Sequence, residues 1–519
     1  MTTFILRSKM TTVILRSKMT TVILRSKMTT VILRSKATKD LIKKNMALIP
    51  IHWWNKEVRN FKISQESFRK QPWANGIILL GCVVIAMLLA NLPYTKHLYH
   101  GFLHTELTIH VASPDGLLNW YFPHGMTMEK FINDILMVIF FFTVGLEIKR
   151  EVVCGELSSF KKAILPVIAA FGGVIVPATI YAVVNHGTAA ASGWGIPTAT
   201  DIAFAIGILS ILGDKVPVSL KVFLTALAIA DDLIAILVVA FFYGGSINLP
   251  LLFISFVVIL FVFLEKKLGE KRIAYYIVPA IIVWFLFYYS GIHATMTGVV
   301  IALLIPMDAR YNKAKFHRRA KILYEGLVES EEIQTQESFP NGPQRYYLRH
   351  LSSLTQKTIP PSYRLEHKLN PIVNFFIMPV FALANAGVEI TDISYFNIFQ
   401  WSPALGGVGL GIFLGLLLGK PVGITIASWL AIKFKVGAMP SKASWPMLFA
   451  VACLGGIGFT MSIFVDTLSF GGANITPELT QHLRDAGKIA VLVGSLAAGI
   501  LGSLAITVVS AIEKGKKHK

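Results

Sequence analysis

Charge is scarce in this chain. Asp, Glu, Lys and Arg make up 15% of its 519 residues, whereas hydrophobic residues make up 54%. Soluble domains carry about a quarter of their residues as charges, so an ordinary soluble enzyme is excluded. Cysteine is rarer still: Cys82, Cys154 and Cys453 are too few for a disulfide framework or a thiolate metal cluster. No P-loop or other nucleotide motif occurs, so nothing points to ATP. What the chain has instead is apolar runs of about 18–25 residues, each able to cross a hydrocarbon layer about 30 Å thick as a helix. These features predict an all-α polytopic membrane protein.

The formal net charge of +20 does not indicate nucleic acid. Residues 1–36 are four copies of a nonapeptide, MTTFILRSK and then three of MTTVILRSK, and they hold eight of the positive charges with no acid. Much of the remainder lies between apolar runs, where it orients a membrane protein, and no soluble domain is evident to carry a phosphate-tracking groove. The nonapeptide is too short to be a repeat-architecture unit. Arg and Lys interrupt each of its apolar stretches, unlike a signal peptide. The tail therefore reads as dispensable. Residues 37–72, with Trp53, Trp54, Lys56, Arg59 and Lys62, form a basic amphipathic lead-in suited to a membrane surface.

Residues 73–512 form the membrane domain. Twelve segments are expected, at about 75–93, 128–148, 163–184, 196–212, 218–243, 247–264, 273–290, 293–306, 371–387, 405–431, 445–466 and 487–512. Lys149, Arg150, Lys161, Lys162, Lys215, Lys221, Lys266, Lys267, Lys271, Arg272, Lys433, Lys435 and Lys442 fall in alternate connections. The other side has little besides Lys96 and Arg484. Twelve spans with both termini cytoplasmic, including the basic tail 513–519, satisfy the positive-inside rule. Within residues 94–127, two β-prone runs flank Pro114-Asp-Gly116 and predict an external β-hairpin. Residues 307–370 read as a long basic cytoplasmic loop without clear periodicity, either disordered or regulatory.

The informative residues are charges inside apolar segments, each costing roughly 2.5–3.5 kcal/mol at mid-membrane and so suggesting function. Asp201, Asp231, Asp232 and Lys420 are four such residues. Three acids against one base leave negative potential that suits a cation site, a proton relay, or both. Asp201 could instead cap a helix, Asp232 could mark a segment end, and Lys420 could snorkel toward an interface. Segment 196–212 starts with Pro197, Thr198 and Thr200, and segment 445–466 is interrupted by Gly455-Gly-Ile-Gly458. Two broken spans in the fourth and eleventh places suggest inverted halves. Their free backbone groups would line a central ion site together with Asp231, Asp232 and Thr200. Two packing kinks are the plain alternative.

At these residues the chain resembles the NhaA-type sodium/proton antiporter family, over roughly residues 70–512. The motifs are Val144-Gly-Leu-Glu-Ile-Lys-Arg-Glu151, Thr198-Ala-Thr-Asp-Ile-Ala-Phe-Ala205, Leu227-Ala-Ile-Ala-Asp-Asp-Leu233, Gly291-Ile-His-Ala294, Phe381-Ala-Leu-Ala-Asn-Ala-Gly387, Gly419-Lys-Pro-Val-Gly-Ile424 and Gly456-Ile-Gly-Phe-Thr-Met-Ser-Ile463. Inverted repeats are a known property of that family. The resemblance implies an electrogenic, pH-regulated exchanger of the bacterial inner membrane that exports Na⁺, and Li⁺, against protons, with no cofactor. It implies that Asp231 and Asp232 bind the ion and carry protons, that Thr200 and Asp201 sit where broken helices cross, and that Lys420 pairs with Asp231. It further implies a pH-responsive cluster at Glu147, Arg150, Glu151, Arg364, Glu366 and His367, and a homodimer formed through the 94–127 hairpin. Tyr363 and Asn370 depart from the best-known pattern, in which Lys and His can occur there.

Two other classes compete on the residues. An intramembrane aspartyl protease places its acids on two helices, typically in a Gly-x-Gly-Asp setting absent here. A sodium-coupled symporter of an organic solute would share the cation site, yet no second polar cluster for a solute is evident at mid-membrane.

Overall fold

The computed structural model describes residues 13–14, 22–26, 29–33 and 73–517, except 108, 113–118, 123–125, 246, 332–339, 341, 391–397, 403–405 and 471–475. The lead-in expected at 37–72 lies outside the described residues. The chain divides into two units, 1–74 and 75–519.

In the first unit the nonapeptide copies pair with one another. Strand β3 (Thr29–Leu33) lies between β1 (Val13–Ile14), to which it is parallel, and β2 (Val22–Ser26), to which it is antiparallel. Too short for a repeat-architecture unit, the nonapeptide nevertheless forms strands. Its Thr-Val-Ile-Leu core is β-prone, and successive copies carry matching strands.

The second unit is helical. Its long apolar helices are α1 (Ala74–Asn91), α3 (Met128–Cys154), α4 (Phe160–Val184), α6 (Val218–Phe242), α7 (Leu249–Lys267), α12 (Pro361–Asn385), α13 (Val408–Lys433) and α16 (Pro477–Lys517). Two further pairs bend sharply at a short break. A ten-residue 3-10 segment, Ala189–Thr198, meets α5 (Ile202–Ile211) at 42°, and α14 (Trp445–Leu454) meets α15 (Phe459–Ser469) at 54°.

The expected architecture of twelve spans with an external β-hairpin therefore requires correction. Among the described residues, eight helices are long and apolar enough to cross a membrane, or ten if each bent pair is one span. The shortfall falls at 273–290 and 293–306, which form α8 (Ala274–Ser290) and α9 (Met296–Leu304). At 1.5 Å per residue these reach only about 25 and 13 Å, short of a layer of about 30 Å. In the 94–127 stretch, α2 (Lys96–Leu103) precedes β4 (Ile109–Ala112) and β5 (Asn119–Phe122), which pair antiparallel over only four residues each. That short ladder does not alter the class, which is a helical membrane protein.

The 307–370 stretch is not a featureless loop. α10 (Lys313–Glu331) and α11 (Gly342–Thr358) pack together, with the Tyr347 ring lying over Gly326. The backbone N–H groups of Arg310 and Tyr311 both donate to the Lys357 carbonyl, closing the base of this helical hairpin.

Burial assigns the helices their places. α6 has 72% of its apolar window buried, against 11% for α7. α6 is thus surrounded by protein, while α7 turns Phe253, Phe256 and Phe261 outward. An outward apolar surface of this extent has lipid as its natural solvent. α4 and α13 pack backbone to backbone: a Cβ on Gly172 would lie 2.4 Å from the Gly423 carbonyl oxygen. Glycine is required there by close approach.

Candidate ion-exchange site

The site begins with the two breaks. Each leaves backbone groups without intrahelical partners, and each break satisfies groups of the other. The Asp201 N–H donates to the Ile457 carbonyl at 2.7 Å, and the Thr200 hydroxyl donates to the Gly455 carbonyl at 2.8 Å. Ser462 donates to the Ile196 carbonyl at 2.7 Å. Residues 199–201 and 455–458 therefore cross in contact. Phe459, beside the second break, has φ +29°, a strained conformation for a non-glycine residue.

Asp201 does cap a helix, as its plainer reading required, and it also ties the breaks together. Its Oδ1 accepts from the Phe204 N–H at the start of α5, 3.2 Å away. Its Oδ2 accepts from the N–H and the hydroxyl of Thr460, which begins the α15 side.

Asp231 and Asp232 sit in mid-α6 with 0% and 2% exposure. Lys420, also 0% exposed, follows a π-helical turn at Gly415–Gly419 in α13. It does not snorkel. Its ammonium donates to Asp231 Oδ2 and to Thr200 Oγ1, the latter at 2.9 Å. A Cβ on Gly173 of α4 would lie 3.0 Å from the Ile424 side chain, so glycine there lets α4 approach α13 beside Lys420. One lysine thus links α6, α13 and the first break. Oδ1 of Asp231 and Oδ1 of Asp232 are buried and, among the described residues, accept no hydrogen bond. Buried polar oxygens are normally satisfied, so two such oxygens on adjacent residues mark a place that a cation or a proton can satisfy.

The second expected cluster is brought together in part. Arg150 reaches Glu147 at 3.6 Å, Glu151 at 3.0 Å and Glu366 of α12 at 3.2 Å. One guanidinium thus joins α3 to α12. His367 lies beside this group but packs its ring on Tyr363, with centroids 4.3 Å apart. Arg364 turns away and donates to the Gln356 carbonyl at 3.0 Å.

Sequence reasoning missed Thr460 and Ser495, whose hydroxyl accepts from the N–H groups of Gly458 and Phe459 at 3.2 and 3.0 Å. A hydroxyl near a Gly-rich interruption is the signal that could have found both. It also undercounted the buried charges. Asp466, 0% exposed, and Lys488, 6% exposed, stood at predicted segment ends and were passed over.

Comparison with known proteins bears on the family of the chain. A family profile described as Na+/H+ antiporter 1 matches residues 66–506. The Na(+)/H(+) antiporter NhaA of Oleidesulfovibrio alaskensis is 42% identical over 443 residues, covering 84% of this chain and 91% of the relative. The protein of the same name from Pelagibacter ubique is 40% identical over 449 residues, covering 86% and 97%. That from Bacteroides thetaiotaomicron is 39% identical over 459 residues, covering 87% and 99%. With crossed broken helices around a buried Asp-Asp-Lys group and a match across most of its length, this chain belongs to the Na+/H+ antiporter 1 family.

Proposed function

We propose that this multi-pass membrane protein exchanges sodium for protons at Asp231 and Asp232, with Thr200 completing the ion's oxygen ligands. The observation that carries this reading is the pair of buried, unpartnered oxygens on adjacent carboxylates, one of which is held by Lys420. In a dry site two carboxylates cannot both stay charged beside a single ammonium at low cost. Either Na⁺ or protons must neutralise the excess. Because the same oxygens serve both, sodium and protons compete. If access alternates between the two sides, exchange is obligatory and the proton gradient drives sodium out.

Lys420 extends the scheme. Sodium between the carboxylates competes with the ammonium for Asp231, and an ammonium without its partner in low dielectric gives up its proton. Protons then outnumber sodium ions, and transport is electrogenic. Li⁺, a smaller hard cation, suits the same oxygens. Glu147, Arg150, Glu151 and Glu366, with His367 beside them, form the pH-responsive group at the basic end, and Arg364 stands outside it. The protein resides in a bacterial inner membrane with both termini cytoplasmic, and copies associate through the 94–127 segment. As a transporter, it uses ion gradients in place of covalent chemistry. A symporter of an organic solute receives no support from the relatives, whose names are those of antiporters.

The test is direct. Everted vesicles bearing an imposed pH gradient receive Na⁺, Li⁺ or K⁺ while a pH-sensitive dye is followed. A sodium-dependent collapse of the gradient is expected, and no response to any cation from correctly inserted protein would sink the reading.

A further inference from the structure

A further buried acid lies apart from the central group. Asp466 of α15 is fully buried, and neither of its carboxylate oxygens accepts a hydrogen bond among the described residues. It stands eight residues beyond Gly458, about 12 Å along the helix from the break. Ser462, Asp466 and Ser469 fall at i, i+4 and i+7, so one face of α15 presents a buried polar stripe from the crossing to the helix end. Facing Asp466 on α16 is Gly487, where a Cβ would lie 1.9 Å from Oδ1. The carboxylate therefore occupies the space a side chain would take.

Its charged neighbours are Lys488, Arg484 and Asp485 of α16. Tyr181 of α4 and Tyr243, which ends α6, also lie within electrostatic reach. Arg484 is committed to the Phe470 carbonyl at 3.1 Å. Tyr181 donates to the Ala190 carbonyl and Tyr243 to that of Ser192, both at 2.9 Å. Both tyrosines sit at the ends of α4 and α6 remote from Lys161, Lys162, Lys215 and Lys221. Asp466 is thus on the side of the unit away from the basic connections, between that face and the Asp231–Asp232 pair. By the positive-inside rule this is the outer side.

We propose that Asp466 is an outer proton site, which takes a proton from water at the external face and passes it through water to the central carboxylates. Its carboxylate gains an O–H bond on loading and is restored on transfer. Lys488 and Arg484 disfavour a metal cation there, while burial of both oxygens without a hydrogen-bond donor among the described residues favours neutralisation by a proton. The inference rests on the exchange reading above and adds a second station to it.

The test uses Asp466→Asn in the full-length protein. Sodium efflux is measured from right-side-out vesicles while external pH is varied, and exchange is measured from everted vesicles while the cytoplasmic face is titrated. Sodium binding is followed separately as a sodium-dependent rise in Tm of the detergent-purified protein. The expected result is exchange slowed about tenfold, loss of the response to external pH, an unchanged response at the cytoplasmic face, and a normal sodium-dependent Tm rise. Asp466→Glu should restore the external response.

Wild-type rate and external pH response in Asp466→Asn would overturn the proposal, as would a slower rate with the external response unchanged. Loss of sodium binding in Asp466→Asn, whether or not Lys488→Met rescues it, would make Asp466 a structural counter-charge and overturn it equally. These outcomes are read against the wild-type protein. Failure of wild-type exchange would instead defeat the antiport reading.

Discussion

The Lys420 ammonium donates to the carboxylate of Asp231, 189 residues earlier in the chain, and both side chains are fully shielded from solvent. A buried pair of this kind adds little net stability, but removing one partner leaves an uncompensated charge and costs about 3–5 kcal/mol. Lys420→Gln is therefore expected to lower Tm. Whatever exchange survives should lose its dependence on membrane voltage, because one proton carrier is gone. Sodium transport by Lys420→Gln liposomes with and without an imposed potential checks this. Unchanged voltage dependence would leave Lys420 a brace for the broken helices.

Asp232→Asn keeps the side chain's shape and removes the charge that the proposed shared site needs for both sodium and proton. Exchange should fall to background while membrane insertion stays normal, and Asp231→Asn should behave alike. Dye-monitored exchange in everted vesicles, normalised to inserted protein, is the measurement. Wild-type turnover in Asp232→Asn would falsify the shared-carboxylate site.

Thr460→Val removes the hydroxyl that donates to Asp201 but preserves volume. Hydrogen bonds to charged groups are worth about 1.5–3 kcal/mol, so Tm should drop measurably. Because Asp201 joins both breaks, the sodium concentration for half-maximal exchange should rise as well. A Tm loss without any change in sodium dependence would confine Asp201 to a structural role.

Arg150 holds Glu147, Glu151 and Glu366 at one end of α3. Glu366→Gln removes the arm that reaches α12 and should shift the pH of half-maximal exchange, while the rate at the optimum stays within about twofold. A full pH profile decides the matter. An unchanged midpoint would reduce the cluster to solvated charge at a helix end.

Deletion of residues 1–36 removes a small sheet of paired repeat strands from the first unit. Insertion and exchange should match those of the full-length chain. Loss of exchange by a properly inserted truncation would give the repeat a function.

Much of the central site was legible because membranes make buried charge conspicuous. Asp231, Asp232 and Lys420 stand out in any apolar run, and Gly455-Gly-Ile-Gly458 announces a break wherever it falls. Asp466 carries the same signal but lies beside a segment end, where a charge reads as ordinary. The ion-paired cluster around Arg150 was legible only in part: Arg364 lies two residues from Glu366, yet it projects from another face of α12. The 307–370 helices escaped notice because charged residues surround their apolar positions, although Phe316, Leu323 and Leu327 on one and Tyr347, Leu351 and Leu354 on the other recur at helical spacing.

By itself the sequence determined the class of molecule, because long runs poor in charge can satisfy their backbone in lipid only as helices. It likewise marked Asp201, Asp231, Asp232 and Lys420 as bearing an electrostatic cost, though not Asp466 or Lys488. Only the tertiary structure decided how many helices are long enough to span, since helix length depends on where caps and neighbours end each run. It alone decided that Thr200 meets Gly455, that Asp201 meets Thr460, and that Lys420 faces Asp231 and not an interface. Those pairings join residues some 190 to 260 positions apart. They follow from two helices breaking at one depth and crossing, a geometry that no local pattern of residues encodes.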